Sequence, residues 1–323
     1  MWKIYGENKM FEKIISLIEK YDKIIIHRHT NPDGDALGSQ IGLKHIIKEN
    51  YPEKTVYVVG DMTKRYAFML DQEMDEISDE EYRGALAFIL DSGAISLVSD
   101  SRYTLAETTV KIDHHLFCEK YADEEIIDTS YESCCGLITA LAYESGLKLN
   151  PVAAKALYTG MITDSGRFRY DSVGSQTFKM ASFLMEQEFS TADIYKNLYA
   201  DDFSFIRLRA QYVLKIQLTD KNVAYIYTDA EEAKSYGFDN FTLSRGMVNV
   251  MGEIRGVDVW VNFTEADSGV LCEIRSSTYN INPVAVKYGG GGHQKASGAT
   301  LKDRAEAMAL LEDLNRIASG ETI

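Results

Sequence analysis

Short, unbroken apolar runs alternate with stretches of helical periodicity through the first two thirds of the chain. Phe11, Ile14, Ile15, Leu17 and Ile18 recur at helical spacing and predict a helix over residues 10–20. Residues 23–27 read Lys-Ile-Ile-Ile-His, a short strand of the kind buried on both faces of a parallel sheet. Residues 29–35 contain Pro32 and Gly34 and predict a turn. A helix follows over 36–50, with Leu37, Ile41, Leu43, Ile46 and Ile47. Further apolar strands are expected at 55–59, 85–90 and 108–112. From Ser133 the pattern turns helical, and Asn150 followed by Pro151 is a cap and first turn for a helix that reaches Asp164. Helices at 175–187, 191–199 and 201–219 come next. Strands alternating with helices predict an α/β fold whose N-terminal part is a doubly wound parallel sheet.

The last third has a different rhythm. A strand at 223–227 and a helix near 245–253 precede two paired strands, 257–264 and 270–275, around the turn Asp267-Ser268-Gly269. A short helix from Pro283 leads into Gly289-Gly290-Gly291-Gly292-His293, and a strand at 297–301 and a helix at 304–317 close the pattern. This predicts a smaller C-terminal α/β domain with a mixed sheet. The expected organisation is a first domain over 1–188, a linker over 189–205, a second domain over 206–323 and a cleft between the two domains.

Composition narrows the function classes. The chain has 323 residues, 45% of them hydrophobic and 26% charged, which is ordinary for a soluble globular protein. No apolar run approaches the roughly 20 residues a membrane span needs, and the first residues lack the apolar core of a secretory signal. The cysteines Cys118, Cys134, Cys135 and Cys272 form no Cys-x-x-Cys pair, which suits reduced thiols and a cytoplasmic protein. Net charge is -15, and residues 1–200 carry 21 Lys and Arg against 32 Asp and Glu. Affinity for long duplex nucleic acid rests on neutralising phosphates, so the acidic balance argues against it while leaving room for a short phosphorylated substrate.

Four segments place carboxylates or imidazoles just after an apolar strand or beside a glycine at a helix end. They hold His29, Asp33 and Asp35; Asp91; Asp113, His114 and His115; and Asp164. Ligands in open α/β sheets sit outside the carboxyl ends of the strands. A mixed His and carboxylate set of this size exceeds what one zinc ion takes. It suits two divalent cations sharing a carboxylate, and the donor mixture favours Mn²⁺ over Mg²⁺. Asp33 and Asp35 could each be a turn or cap residue, and Asp91 could be an ordinary loop acid. The conjunction of six such positions makes those separate readings weak together. His27 reads as structural and His45 as an ordinary helical histidine.

These segments resemble the motifs of the DHH phosphoesterase superfamily. His29-x-x-Pro32-Asp33-x-Asp35 followed by Ala36-Leu37-Gly38-Ser39 resembles its first motif, Leu90-Asp91 its second, Asp113-His114-His115 its third and Thr163-Asp164-Ser165-Gly166 its fourth. Arg275-Ser276-Ser277 and Gly289–His293 resemble the substrate domain associated with it. Length and motif order are similar to the branch of bifunctional oligoribonucleases and pAp phosphatases of the NrnA type, over nearly the whole chain. The resemblance implies one ion held by His29, Asp33 and Asp91, and a second held by Asp35, Asp91, His114 and Asp164. It implies a hydroxide nucleophile between the ions, Asp113 orienting the histidine pair and His115 facing the scissile phosphate. Ser39, Arg275, Ser276, Gly290, Gly291, Gly292 and His293 are implied to hold a substrate phosphate. Within 130–136 the pair Cys134-Cys135 departs from the family pattern, and no role attaches to it.

The implied activity is Mn²⁺-dependent hydrolysis of very short 5′-phosphorylated RNA, including pApA, and of 3′-phosphoadenosine 5′-phosphate. A cyclic-dinucleotide phosphodiesterase, an inorganic pyrophosphatase and a catalytically idle nucleotide-binding protein are the competing readings. Neither a membrane nor long duplex nucleic acid is an expected partner, and the pattern leaves room for a homodimer.

Overall fold

The apolar runs assemble into a sheet whose alternate side chains serve two different faces. The computed structural model describes residues 7–61, 65–70 and 73–321. Contacts divide the chain into two compact units, Met1–Ala200 and Asp201–Ile323.

The first unit contains α1 (Glu7–Lys20), β1 (Lys23–His27), α2 (Gly34–Asn50), β2 (Thr55–Val58), β3 (Leu86–Leu90), β4 (Thr108–Asp113), β5 (Glu124–Ile127), α3 (Cys134–Glu144), α4 (Pro151–Asp164), α5 (Ser175–Leu184) and α6 (Thr191–Tyr199). Its sheet is parallel throughout, in the order β2-β1-β3-β4-β5. Sequence order reverses between β1 and β3, which is where ligands bind in sheets of this topology. Ile24, Ile26, Leu86, Phe88, Leu90, Val110 and Ile112 pack in one core with α1 to α5. The opposite face carries Ile25, Ala87 and Ile89, covered by Tyr82 and Tyr103 from short 3₁₀ turns. The doubly wound expectation therefore holds with an asymmetry: α-helices cover one face and single turns the other. His27 is fully buried on the second face against Tyr82 and Tyr103, and burial lowers its pKa to about 4. That fits its structural assignment.

The expected caps are in place. Asn150 accepts from the Ala153 amide at the start of α4, and Asp33 accepts from the Asp35 and Ala36 amides at the start of α2. Helices α2 and α4 pack at very close range: a Cβ on Gly38 would lie 2.6 Å from the Ala156 carbonyl and 2.8 Å from Cys135 Sγ. The segment expected to bridge the domains includes α6, whose Ile194 and Leu198 pack with Leu37, Ile41 and Ile162 of the first unit.

The second unit contains α7 (Phe203–Lys215), β6 (Gln217–Leu218), β7 (Val223–Thr228), α8 (Ala230–Ser235), β8 (Val259–Ala266), β9 (Gly269–Ser276), α9 (Asn282–Lys287), β10 (Gly291–His293), β11 (Ala296–Leu301) and α10 (Arg304–Ala318). Its mixed sheet has the order β10-β11-β9-β8-β7-β6. Two details differ from the sequence reading. The helix expected near 245–253 is a π-turn, Thr242–Gly246, and a 3₁₀ turn, Val248–Met251. Asn262 of β8 donates to the Leu243 and Ser244 carbonyls there. The glycine run is an edge strand, with Gly291 opposite Gly298 and His293 opposite Ala296. Among the described residues no helix is long and apolar enough to cross a membrane.

The close approach at Gly38 sets a stability prediction. Gly38→Val should lower unfolding free energy by about 1–3 kcal/mol or more, because backbone rather than a mobile side chain blocks the added group. Urea denaturation followed by circular dichroism checks it, and an unchanged midpoint would contradict it.

Candidate active site

Every strand end at the topological reversal brings a polar side chain to one place. β1 leads to His29, whose Nε2 lies 3.8 Å from Asp33 Oδ1 and 3.5 Å from Asp91 Oδ2. Asp33 caps α2 and belongs to this cluster as well, so the cap reading and the site reading both hold. β3 leads to Asp91, a buried carboxylate whose backbone is left-handed at φ 50°. Its other oxygen, Oδ1, lies 3.5 Å from His114 Nε2. His114 Nε2 is also 3.7 Å from Asp35 Oδ2 and 3.4 Å from Asp164 Oδ2. Among the described residues three groups of this kind form: His29, Asp33 and Asp91; Asp35, His114 and Asp164; and Asp91, His114 and His115.

Asp113 ends β4, and the chain turns there. Its Oδ1 lies 2.8 Å from His115 Nδ1, and the His115 amide donates to the same oxygen at 3.2 Å. The rings of His114 and His115 sit 4.5 Å apart, centroid to centroid. Adjacent residues thus meet different partners, His114 the carboxylates of the cluster and His115 its own neighbour Asp113.

Several supporting residues carried no sequence signal. The amides of Cys134 and Cys135, at the start of α3, donate to Asp35 Oδ2 and Oδ1 at 2.7 and 2.8 Å. The role of this pair is in its backbone: a helix N-terminus cradling a buried carboxylate. Lys111, fully buried, places Nζ 3.2 Å from Asp113 Oδ2 and 3.3 Å from the Gly93 carbonyl. Tyr121 donates to the Ser92 carbonyl. Together they fix the turn that follows Asp91. Arg28, also fully buried, binds Asp61, and Asp61 accepts from the Asn31 amide at 2.8 Å, which holds the His29 turn. A lysine inside a strand and an arginine beside a histidine become readable only through these contacts.

The residues expected to hold a substrate phosphate are placed less uniformly. Ser39 is fully buried on α2, and its hydroxyl donates to the Ala36 carbonyl at 3.1 Å. That position presents nothing to a phosphate, because the serine faces the helix-packed core. Ser276 is buried too. It donates to the Asp258 carbonyl and accepts from the Thr278 and Tyr279 amides, organising the turn after β9. Strand register sets Arg275, Ala296 and His293 in one row across three strands. Arg275 pairs with Glu273 at 3.0 Å, and His293 is exposed. Gly290 adjoins a cavity of about 520 Å³ together with Glu273 and Gly298. Gly290 and Gly292 are required by packing within the hairpin, since a Cβ would lie 2.1 Å and 2.6 Å from the Gly298 and Ala296 carbonyls. Gly291 faces open space.

The electrostatics are those of a cation site. Burial and the charges of Asp91 and Asp164 push the Asp35 carboxyl well above its usual range. Asp164 rises to about 6 through burial, tempered by His114. Burial pulls the imidazoles down, but Asp33 and Asp91 raise His29 to about 10, and Asp91 and Asp35 raise His114 to about 10. Asp91 is held well below the carboxylate range: burial opposes ionisation, and the neighbouring imidazoles of His114 and His29 outweigh it. Asp91 Oδ1 and His114 Nε2 are buried with no partner inside hydrogen-bond geometry. Groups spaced at 3.4–3.8 Å suit donors around a shared ion better than they suit each other. The donor set therefore fits divalent metal.

A parallel sheet that converges carboxylates and imidazoles at its reversal point, with a separate mixed-sheet unit, defines a metal-dependent phosphoesterase. The chain belongs to the DHH family. Residues 23–161 match the N-terminal domain of that family, and residues 222–320 match the DHHA1 domain. The bifunctional oligoribonuclease and PAP phosphatase NrnA of Bacillus subtilis (strain 168) is 34% identical over 95% of this chain and 98% of its own length. The probable enzyme of the same name from Streptococcus mutans serotype c is 35% identical over the same shares. An exopolyphosphatase-related protein from Bacteroides fragilis superposes with a TM-score of 0.83 at 26% identity, covering 98% of each chain.

A pH dependence follows. Without metal, His29 and His114 keep their protons to about pH 10, against about 6.5 in an unfolded chain. Their pairing stabilises the fold fully below about 6.5, and that contribution fades as pH rises towards 10. A cation needs the neutral imidazoles, so binding expels protons and affinity should rise with pH over this window. Calorimetric titration of Mn²⁺ in buffers of different ionisation heat reads the release. Heats independent of buffer at pH 7 would contradict it.

Proposed function

We propose that the enzyme hydrolyses very short 5′-phosphorylated oligoribonucleotides, including linear pApA, and 3′-phosphoadenosine 5′-phosphate, with Mn²⁺ as the metal. One observation carries the reading: Asp91 turns one oxygen to His29 and the other to His114. A carboxylate shared in this way divides the donors into two sets, His29, Asp33 and Asp91 on one side, and Asp35, Asp91, His114 and Asp164 on the other. The mixture of imidazole and carboxylate favours Mn²⁺. Two divalent ions, when bound, supply Lewis-acid stabilisation of charge on phosphorus oxygens and an acidified water.

The remaining roles belong to the chain itself. Asp113 holds His115 through Nδ1, which leaves Nε2 to donate a proton to the leaving oxygen. Lys111 and Tyr121 hold the turn after Asp91, and the α3 N-terminus holds Asp35. The substrate class comes from the relatives, named as oligoribonucleases and PAP phosphatases. The exposed His293 and the largely buried Arg275, in one row of the second sheet, are assigned to a substrate phosphate. Arg275-Ser276-Ser277 and the Gly-rich His293 segment of the second unit, which matches the DHHA1 domain, weigh against a plain pyrophosphatase. The four cysteines are free, which suits the reducing cytoplasm.

His115→Gln should lower kcat on pApA by roughly 10²–10⁴-fold with bound metal retained. Asp91→Ala should abolish release of mononucleotide and reduce Mn²⁺ binding as well. Chromatographic product analysis and metal titration read both. Robust turnover in the presence of a chelator would overturn the metal-dependent mechanism.

A further inference from the structure

A cationic, aromatic corner lies beside the Asp33 end of the acid cluster. After Asp164 the backbone makes a left-handed turn: Gly166, Arg167 and Phe168 have φ of 56°, 64° and 59°. Two consecutive non-glycine residues in this region are strained and persist only where the surroundings hold them. Here the Arg167 amide donates to the Ile162 carbonyl at 2.8 Å, and the Phe168 amide donates to Ser165 Oγ at 2.9 Å. The turn lays the Arg167 guanidinium 4.0 Å from the ring centre of Tyr199. Tyr199 in turn neighbours Tyr195, at 5.8 Å between centroids. Arg65 covers Tyr66 at 5.5 Å. Tyr66 is buried in the same apolar cluster, with Leu37 and Leu198, against which Tyr195 and Tyr199 pack, and Asp33 is among the charges that act on its phenol. Among the described residues neither guanidinium meets a carboxylate, although the surrounding 200 residues carry 32 acids.

Two exposed arginines, each stacked on a ring and left without an anion, are pre-oriented to fork a phosphate. We propose that Arg65, Tyr66, Arg167 and Tyr199 form a subsite for the non-scissile 5′-phosphate of the substrate, one nucleotide away from the phosphate at the acid cluster. The inference rests on the proposed nucleotide substrate. It gives the strained turn a purpose and locates a phosphate contact within the first unit.

Arg65→Gln, Arg167→Gln and the double variant test it, with unchanged melting temperature as the folding control. Three substrates separate the contributions: pApA, ApA without the terminal phosphate, and bis(4-nitrophenyl) phosphate, which reads the catalytic centre alone. Each single variant should raise KM for pApA roughly 10- to 100-fold, as for loss of a charge-assisted contact. Both other substrates should stay within about twofold in kcat/KM, and Mn²⁺ affinity should not change. Equal losses on pApA and ApA, or no loss on pApA, would overturn the subsite. Calorimetric binding of pApA and ApA in the His115→Gln background gives a readout independent of turnover. If the wild type cleaves neither dinucleotide, the nucleotide reading fails. A binding preference for pApA that the arginine variants erase would still support the subsite, and its absence would sink it.

Discussion

Asp35, Asp91 and Asp113 are buried at the edge of an apolar sheet, where a carboxylate costs several kcal/mol unless its charge is met. Each is met differently. Asp35 receives two amides from the N-terminus of α3. Asp91 lies between His29 and His114. Asp113 lies between Lys111 and His115. Both oxygens of Asp35 are hydrogen-bonded, whereas Asp91 Oδ1 and Asp113 Oδ2 have only charged neighbours. The carboxyl of Asp35 is pushed up while that of Asp91 is held down, as expected for neighbouring acids that cannot all ionise without added positive charge. The protons on His29 and His114 supply it in the metal-free chain, and a divalent ion would take their place.

The sheet order explains why these charges meet at all. β1 and β3 are neighbours, and their following segments leave the sheet at the reversal point. Close packing then removes freedom from the segments that follow. Asp91 is left-handed, fixed by Tyr121 and Lys111 at the carbonyls that come next. The His29 turn is held by the buried Arg28 through Asp61. The scaffold thus spends its buried polar groups on positioning, and the groups facing the centre keep unsaturated donors and acceptors.

What the sequence showed was what periodicity and residue type encode. β1 and β3 carry unbroken apolar runs because both faces are covered, β4 is β-branched but interrupted by Lys111, and ligand-type residues follow all three directly. β5 reads Glu-Glu-Ile-Ile, an edge strand too short and too acidic to carry a pattern. The glycine run was legible only as a phosphate-holding motif, whereas hairpin packing demands glycine at two of its positions. Ser39 sat in the right motif but turned into the core, since the first three turns of α2 are buried on every side. The Cys134-Cys135 pair had no legible role because its contribution comes from backbone amides, which every residue except proline possesses. Arg65, Arg167 and Tyr199 are far apart in sequence; apolar packing brings Tyr66 and Tyr199 together, and the left-handed turn after Asp164 lays Arg167 on Tyr199.

The Asp-His-His triplet shows how a strand end resolves a geometric conflict. On a continuing strand, His114 and His115 would point to opposite faces. β4 stops at Asp113, whose side chain stays on the turn-covered face with Lys111. The turn that follows lets both imidazoles approach Asp91, at 3.5 Å each. Asp113 then separates them by holding the Nδ1 of His115 alone. One ring is committed to the carboxylate cluster, and the other keeps a free nitrogen at a half-exposed position. Three consecutive residues acquire three tasks because the strand ends between the first and the second.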